Sequence, residues 1–177
     1  FKELFGSLGK NRNLLIIILV RFIFMLTMSV EVLSSVLAQY VLGNETLGSI
    51  LTMAISMPTI VLSAFMPALM RKFDKVHLHA FFMGLFVVAS IVQYLVGYHN
   101  LSLVYLISAL RGVGYGGFSI LSFMFVPDCI EYGQFSDGRR NEGVSFALQT
   151  FVNKLNSAII SSVSAFFLAL MGFSAAN

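Results

Sequence analysis

Five long apolar runs, at residues 14–42, 47–70, 76–98, 101–126 and 143–173, are separated by short polar breaks. A helix needs roughly 20 mostly apolar residues to cross about 30 Å of hydrocarbon. Each run meets that length, so the pattern predicts an all-α membrane protein of five transmembrane helices. The first and last runs are long enough to tilt, kink or project into water. A basic amino-terminal segment, residues 1–13, precedes them, residues 127–142 form the longest loop, and residues 174–177 follow the last span. The first run is placed like a signal peptide, but it is too long and has no small-residue cleavage site.

The polar residues inside the runs sort the helices. Between Ala80 and Val96 only Ser90 and Gln93 are clearly polar, which predicts an outer, lipid-facing third helix; the first, fourth and fifth read as inner ones. On the fifth, Thr150, Lys154, Ser157, Ser161 and Ser164 recur at spacings of four, three, four and three, one stripe of a helix. Gln149, Asn153 and Asn156 lie on the adjoining face. Polar groups left unsatisfied in lipid cost several kcal/mol each, so this flank is expected to border an aqueous cavity. The competing reading is interhelical glue around a paired lysine.

Three further charges fall inside runs, where charge is costly. Glu31 shares a thinner stripe with Thr27, Ser34 and Ala38. It is available to carry a proton, to coordinate a cation, or to neutralise Lys154 or Arg111. Arg111 precedes Gly112-Val113-Gly114-Tyr115-Gly116-Gly117, a run suited to close helix packing. Arg21 is near enough to the helix start to snorkel. Pro58 is expected to kink the second helix.

Composition narrows the class. Hydrophobic residues make up 58% and charged residues 11% of 177, with mean hydropathy +0.88, whereas a soluble domain carries about 25% charged residues. A soluble enzyme domain is excluded. Every Lys and Arg outside the runs falls in the amino-terminal segment or the second and fourth breaks: Lys2, Lys10, Arg12, Arg71, Lys72, Lys75, Arg139 and Arg140. By the positive-inside rule the amino end is cytoplasmic and the carboxy end external. The net charge of +3 is thus spent on topology, and no basic run interleaved with aromatics suggests nucleic acid. Cys129 is the sole cysteine, so no internal disulfide forms and no catalytic or metal-ligating cluster is expected. A membrane enzyme would have only His77, His79 and His99 for acid–base work, and these fall at opposite membrane faces.

The loop at residues 127–142 concentrates four carboxylates and two arginines. Its Asp128-Cys129-Ile130-Glu131-Tyr132-Gly133, then Gly138-Arg139-Arg140-Asn141-Glu142-Gly143, then Phe146-Ala147-Leu148-Gln149-Thr150-Phe151-Val152-Asn153-Lys154 resemble the glycoside–pentoside–hexuronide:cation symporters of the major facilitator superfamily. Melibiose permease and the glucuronide carrier are members. By that resemblance the five spans correspond to helices seven to eleven of a twelve-helix major facilitator fold. The odd number of spans and the initial Phe1 are also those of a carboxy-terminal half fragment.

The resemblance implies symport of a sugar, glycoside or uronide with Na⁺ or H⁺ in a bacterial cytoplasmic membrane. No cofactor is implied, and the main cation site would lie in an amino-terminal half that partners this one. Lys154, Gln149, Thr150, Asn153 and Ser119 would border the sugar and cation region. Asp128, Glu131, Arg139, Arg140 and Glu142 would belong to the cytoplasmic gate, with Glu31 and Arg111 as intramembrane charge partners. Gln134 stands where relatives often carry an acid. Ser119 stands where some carry a sugar-stacking tryptophan, which weighs against a melibiose-like galactoside. The alternatives are a major facilitator carrier of another solute, such as a lipid, and a membrane subunit that transports nothing.

Overall fold

The computed structural model describes residues 11–27, 45–97, 100–137 and 142–170. They form five helices and no strand: α1 (Arg12–Leu26), α2 (Glu45–Lys72), α3 (Lys75–Val96), α4 (Leu101–Asp137) and α5 (Glu142–Leu170). Four of them, α2 to α5, are long and apolar enough to cross a membrane. The described part of α1 has 15 residues, so the expected span over 14–42 rests for its remainder on residues outside the described ones.

The largest departure from the sequence pattern lies in α4. The apolar run stops at residue 126, yet the helix continues to Asp137, passing through Pro127. Proline removes one backbone donor and disfavours the helical interior. The polar extension persists because one side of it is buried: Cys129 and Ile130 join Val126 in an apolar cluster with Leu14 and Ile18 of α1.

The helices fall into two compact units, and α4 contributes to both. One unit contains α1, α4 from Met124 onward, and α5. Its centre is the cluster just named, completed by Ile17 of α1 and by Val144, Leu148 and Val152 of α5. Leu14, Ile18, Arg21 and Phe24 form the buried stripe of α1, at the spacing of one helix face. Arg21 is therefore buried, at 9% exposure, and does not reach towards water as its position near the helix start suggested. The helix begins at Asn11, whose carboxamide oxygen accepts from the Leu14 amide at 3.1 Å.

The other unit contains α2, α3 and the first part of α4. Here α4 presents glycines in two directions. Added methyl groups at Gly112 and Gly116 would strike the Ile55 backbone and Thr59 of α2; at Gly114 and Gly117 they would strike Phe86 and Phe82 of α3. Spacings of four and three put each pair on its own helix face. The close packing expected of this run is present on both. The Thr59 hydroxyl shares its proton between Ile55 O at 3.3 Å and Gly112 O at 3.1 Å, tying the helices where they come closest. α2 stays helical through Pro58 and Pro67.

On α3, Leu78, Phe82, Phe86, Ala89 and Gln93 are buried, while Phe81, Val88, Ile91 and Leu95 are exposed. One face of α3 packs on protein and the rest is exposed. Burial is uneven among the helices: half of the apolar stretch of α4 is buried, 22% of that of α3, and 11% of those of α2 and α5. α3 starts at Asp74, whose carboxylate accepts from the amides of Val76 at 2.8 Å and His77 at 3.2 Å. The His77 amide first, and the Val76 amide second, hold this carboxyl below the usual carboxylate range.

Two outcomes are expected. Gly112→Ala forces a methyl group onto the Ile55 carbonyl and lowers the stability of the detergent-purified protein by about 1–3 kcal/mol, the usual cost of overpacking. Gly84→Ala, with nothing within 4 Å, leaves the thermal midpoint unchanged or raises it. The Asp74 cap binds fewer protons folded than unfolded, so its contribution is complete above the unfolded value of about 3.9 and fades as pH falls through the folded one. Amide exchange in the first turn of α3, corrected for intrinsic rates, then shows acid-dependent loss of protection. Asp74→Asn, which also caps but does not titrate, abolishes that dependence.

Candidate functional site

α5 carries two polar faces with different surroundings. Ser145, Gln149, Asn156 and Ser164 are buried, Asn156 to 1% exposure and Gln149 to 3%. The Asn156 amide donates to Phe22 O of α1 at 3.1 Å. This face is interhelical glue: a carboxamide is long enough to cross to the neighbouring backbone. Gln149 Nε2, Asn153 Oδ1 and Asn156 Oδ1 are buried with no hydrogen-bond partner among the described residues.

Thr150, Lys154, Ser157 and Ser161 lie on the exposed side. Three of them are satisfied within the helix: Thr150 donates to Phe146 O at 2.9 Å, Ser157 to Asn153 O at 3.1 Å and Ser161 to Ser157 O at 2.9 Å. Lys154 differs. It is exposed and has no hydrogen bond or ion pair among the described residues. An ammonium has three donors and no way to bond its own helix as a hydroxyl does. Ser164, on the lysine stripe by its spacing, is buried, so the stripe runs from exposed residues to a buried one along α5.

The residues grouped by the sequence reading thus divide. Gln149 packs, Asn153 is half-buried at the seam, and Thr150 and Lys154 face outward. Ser119, on α4 in the other unit, is half-buried. Arg111 is half-buried in that unit, its guanidinium carbon 5.5 Å from the Phe86 ring centroid. A cation over an aromatic face keeps electrostatic compensation in a low-dielectric setting. Glu31 lies outside the described residues.

At the far end of α4, Asp128 and Glu131 are exposed, as is Glu142 at the start of α5. Arg139 and Arg140 lie outside the described residues. The buried Cys129 and Ile130 sit between the two α4 carboxylates. The Asn11 amide donates to Cys129 O at 2.7 Å, a contact not anticipated from sequence. An asparagine three residues before Leu14, at the head of an apolar run, is a legible N-cap pattern, but no local signal points from it to Cys129, 118 residues away.

Of the histidines, His77 makes a local surface contact and His79 a packing one, and His99 lies outside the described residues. His77 is exposed and bonds Asp74 Oδ1 at 3.2 Å. His79 stacks on Phe118, centroids 4.4 Å apart, and its Nε2 lies 2.9 Å from Ser122 Oγ. Ser122 is 1% exposed, so this hydroxyl–imidazole pair offers no route for a substrate and ties α3 to α4. No group of three or more His, Cys, Asp or Glu is placed to hold a metal ion among the described residues.

The chain has relatives of known or assigned kind. It is 27% identical over 139 residues to an uncharacterized symporter of Bacillus subtilis, covering 77% of this chain and 29% of that protein. It is 28% identical over 171 residues to a candidate 2,3-dihydroxypropane-1-sulfonate exporter of Escherichia coli, covering 96% and 37%. It is 26% identical over 148 residues to a glucuronide carrier protein homolog of Escherichia coli, covering 83% and 32%. The chain spans about a third of the length of these curated relatives. The family described as MFS/sugar transport protein matches residues 1–177, the whole of the chain including all five helices, and the chain belongs to that family of membrane proteins.

Proposed function

We propose that the chain is part of a cation-coupled carrier of a sugar, glycoside or uronide that works by alternating access. In this reading its helices are the seventh to eleventh of twelve, and an amino-terminal half supplies the main Na⁺ or H⁺ site. The observation that carries the reading is the outer face of α5. Its hydroxyls are satisfied by their own helix, but Lys154 is a mid-helix cation without a partner among the described residues. Lipid is a costly surrounding for it, so an aqueous path, a solute or another polar helix is the surface it suits. Carriers of this kind hold solute near the midplane between helical bundles.

The relatives' names support a hydroxylated cargo, a glucuronide among them, and one is named a symporter. Positive residues before α1, around the α2–α3 turn and after α4 favour a cytoplasmic location for those ends, in a bacterial cytoplasmic membrane. A second reading has its own support: likeness over 96% of the chain to a candidate sulfonate exporter favours outward movement of a small hydroxylated anion.

In the full-length protein, Lys154→Ala is expected to abolish cation-driven accumulation of the cargo while leaving the thermal midpoint of the empty carrier unchanged. Unimpaired accumulation would remove Lys154 from the mechanism. A panel of neutral glycosides, uronides and dihydroxypropanesulfonate, scored by ligand-dependent thermal protection, separates the two cargo readings. Protection by none of them favours a membrane subunit that transports nothing.

A further inference from the structure

Resting on the carrier reading, we propose that Asn11 is a positioning residue for the cytoplasmic gate: its side chain sets the rotation of the end of α4, and so the direction in which Asp128 and Glu131 point. Successive residues of an α-helix are about 100° apart. The midpoint between Asp128 and Glu131 is therefore diametrically opposite the midpoint between Cys129 and Ile130. Burying the inner pair against Leu14 and Ile18 turns the carboxylate pair outward. A slip of one residue in that rotation would carry one carboxylate towards the apolar cluster.

This part of α4 needs an external fixture. Pro127 has no N–H to give to the preceding turn, so the ladder is interrupted just where the gate segment begins. Asn11 supplies the fixture from both ends of its carboxamide. The oxygen accepts from the Leu14 amide at 3.1 Å and anchors the group to the start of α1; the nitrogen donates to Cys129 O at 2.7 Å. A helical carbonyl has a second lone pair for such a donor. Gly133 leaves the space for it: a methyl group there would lie 2.7 Å from Asn11 Nδ2. By the same angles, Gly133 falls on the buried side with Cys129, away from the carboxylates. The bond is thus made on the face that keeps the gate segment against α1.

Cys129, 7% exposed, is a built-in reporter of this contact. The test measures maleimide alkylation at Cys129 by peptide mass spectrometry in the full-length carrier, beside its transport kinetics. Asn11→Asp keeps the cap oxygen for Leu14 and loses the donor to Cys129. It is expected to raise the alkylation rate about tenfold and to lower maximal transport rate, with half-saturation and thermal midpoint unchanged. Gly133→Ala, which crowds the same bond from the other side, should act in the same direction. A wholly structural role would instead lower the thermal midpoint of both variants and leave the transport of surviving protein normal. Unchanged alkylation in Asn11→Asp, or raised alkylation with unchanged maximal rate, overturns the proposal. A wild-type protein that moves no solute of the panel overturns the carrier reading itself, a result that the variants are not needed to see.

Discussion

Inside hydrocarbon an apolar side chain gains little by exchanging lipid for protein, so helices must be held by something other than the hydrophobic effect. Both units meet this constraint, by different means. Where α4 crosses α2 and α3, glycines bring backbones close enough for dispersion over many atoms and for the Thr59 hydroxyl to reach a carbonyl of another helix. Where α1 meets α5 and the end of α4, carboxamides cross between helices, Asn156 to Phe22 O and Asn11 to Cys129 O. α4 is the element on which both kinds of contact converge.

The same constraint explains why α5 has two polar faces and not one. Ser and Thr are short enough to donate to the preceding turn of their own helix, so a hydroxyl stripe can be presented outward at small cost. Asn reaches further, and Asn156, almost wholly buried, crosses to α1. On α5 polarity therefore has two uses, outward hydroxyls closed on their own helix and a carboxamide that crosses to α1. Lys154 belongs with the outward hydroxyls by position but shares neither solution, which makes it the residue whose environment most needs a functional explanation.

Much of this was readable from the chain itself. The membrane class follows from run lengths, and the α2, α3 and α5 boundaries fall within a few residues of the polar breaks. The glycine run announced close packing. The faces were harder, because a membrane helix is apolar towards lipid and protein alike, which leaves no contrast at a 3.6-residue period. Hence Arg21 looked like a snorkelling terminus but is buried, and Ser164 is buried although the rest of its stripe is exposed. The persistence of α4 beyond Pro127 was hidden for another reason: it depends on Leu14 and Ile18, more than a hundred residues away in sequence.

The two ways of holding α4 also differ in how readily they give. A glycine contact against backbone can be shifted only by moving a whole helix, since the atoms that meet have no rotamers. The end of α4 is held by its own Val126, Cys129 and Ile130 against Leu14 and Ile18 and by one carboxamide, all able to repack, around a proline that already interrupts the ladder. One helix therefore carries both kinds of joint: a stiff one at the glycines, where backbone meets backbone, and a softer one past the proline, where only side chains hold it.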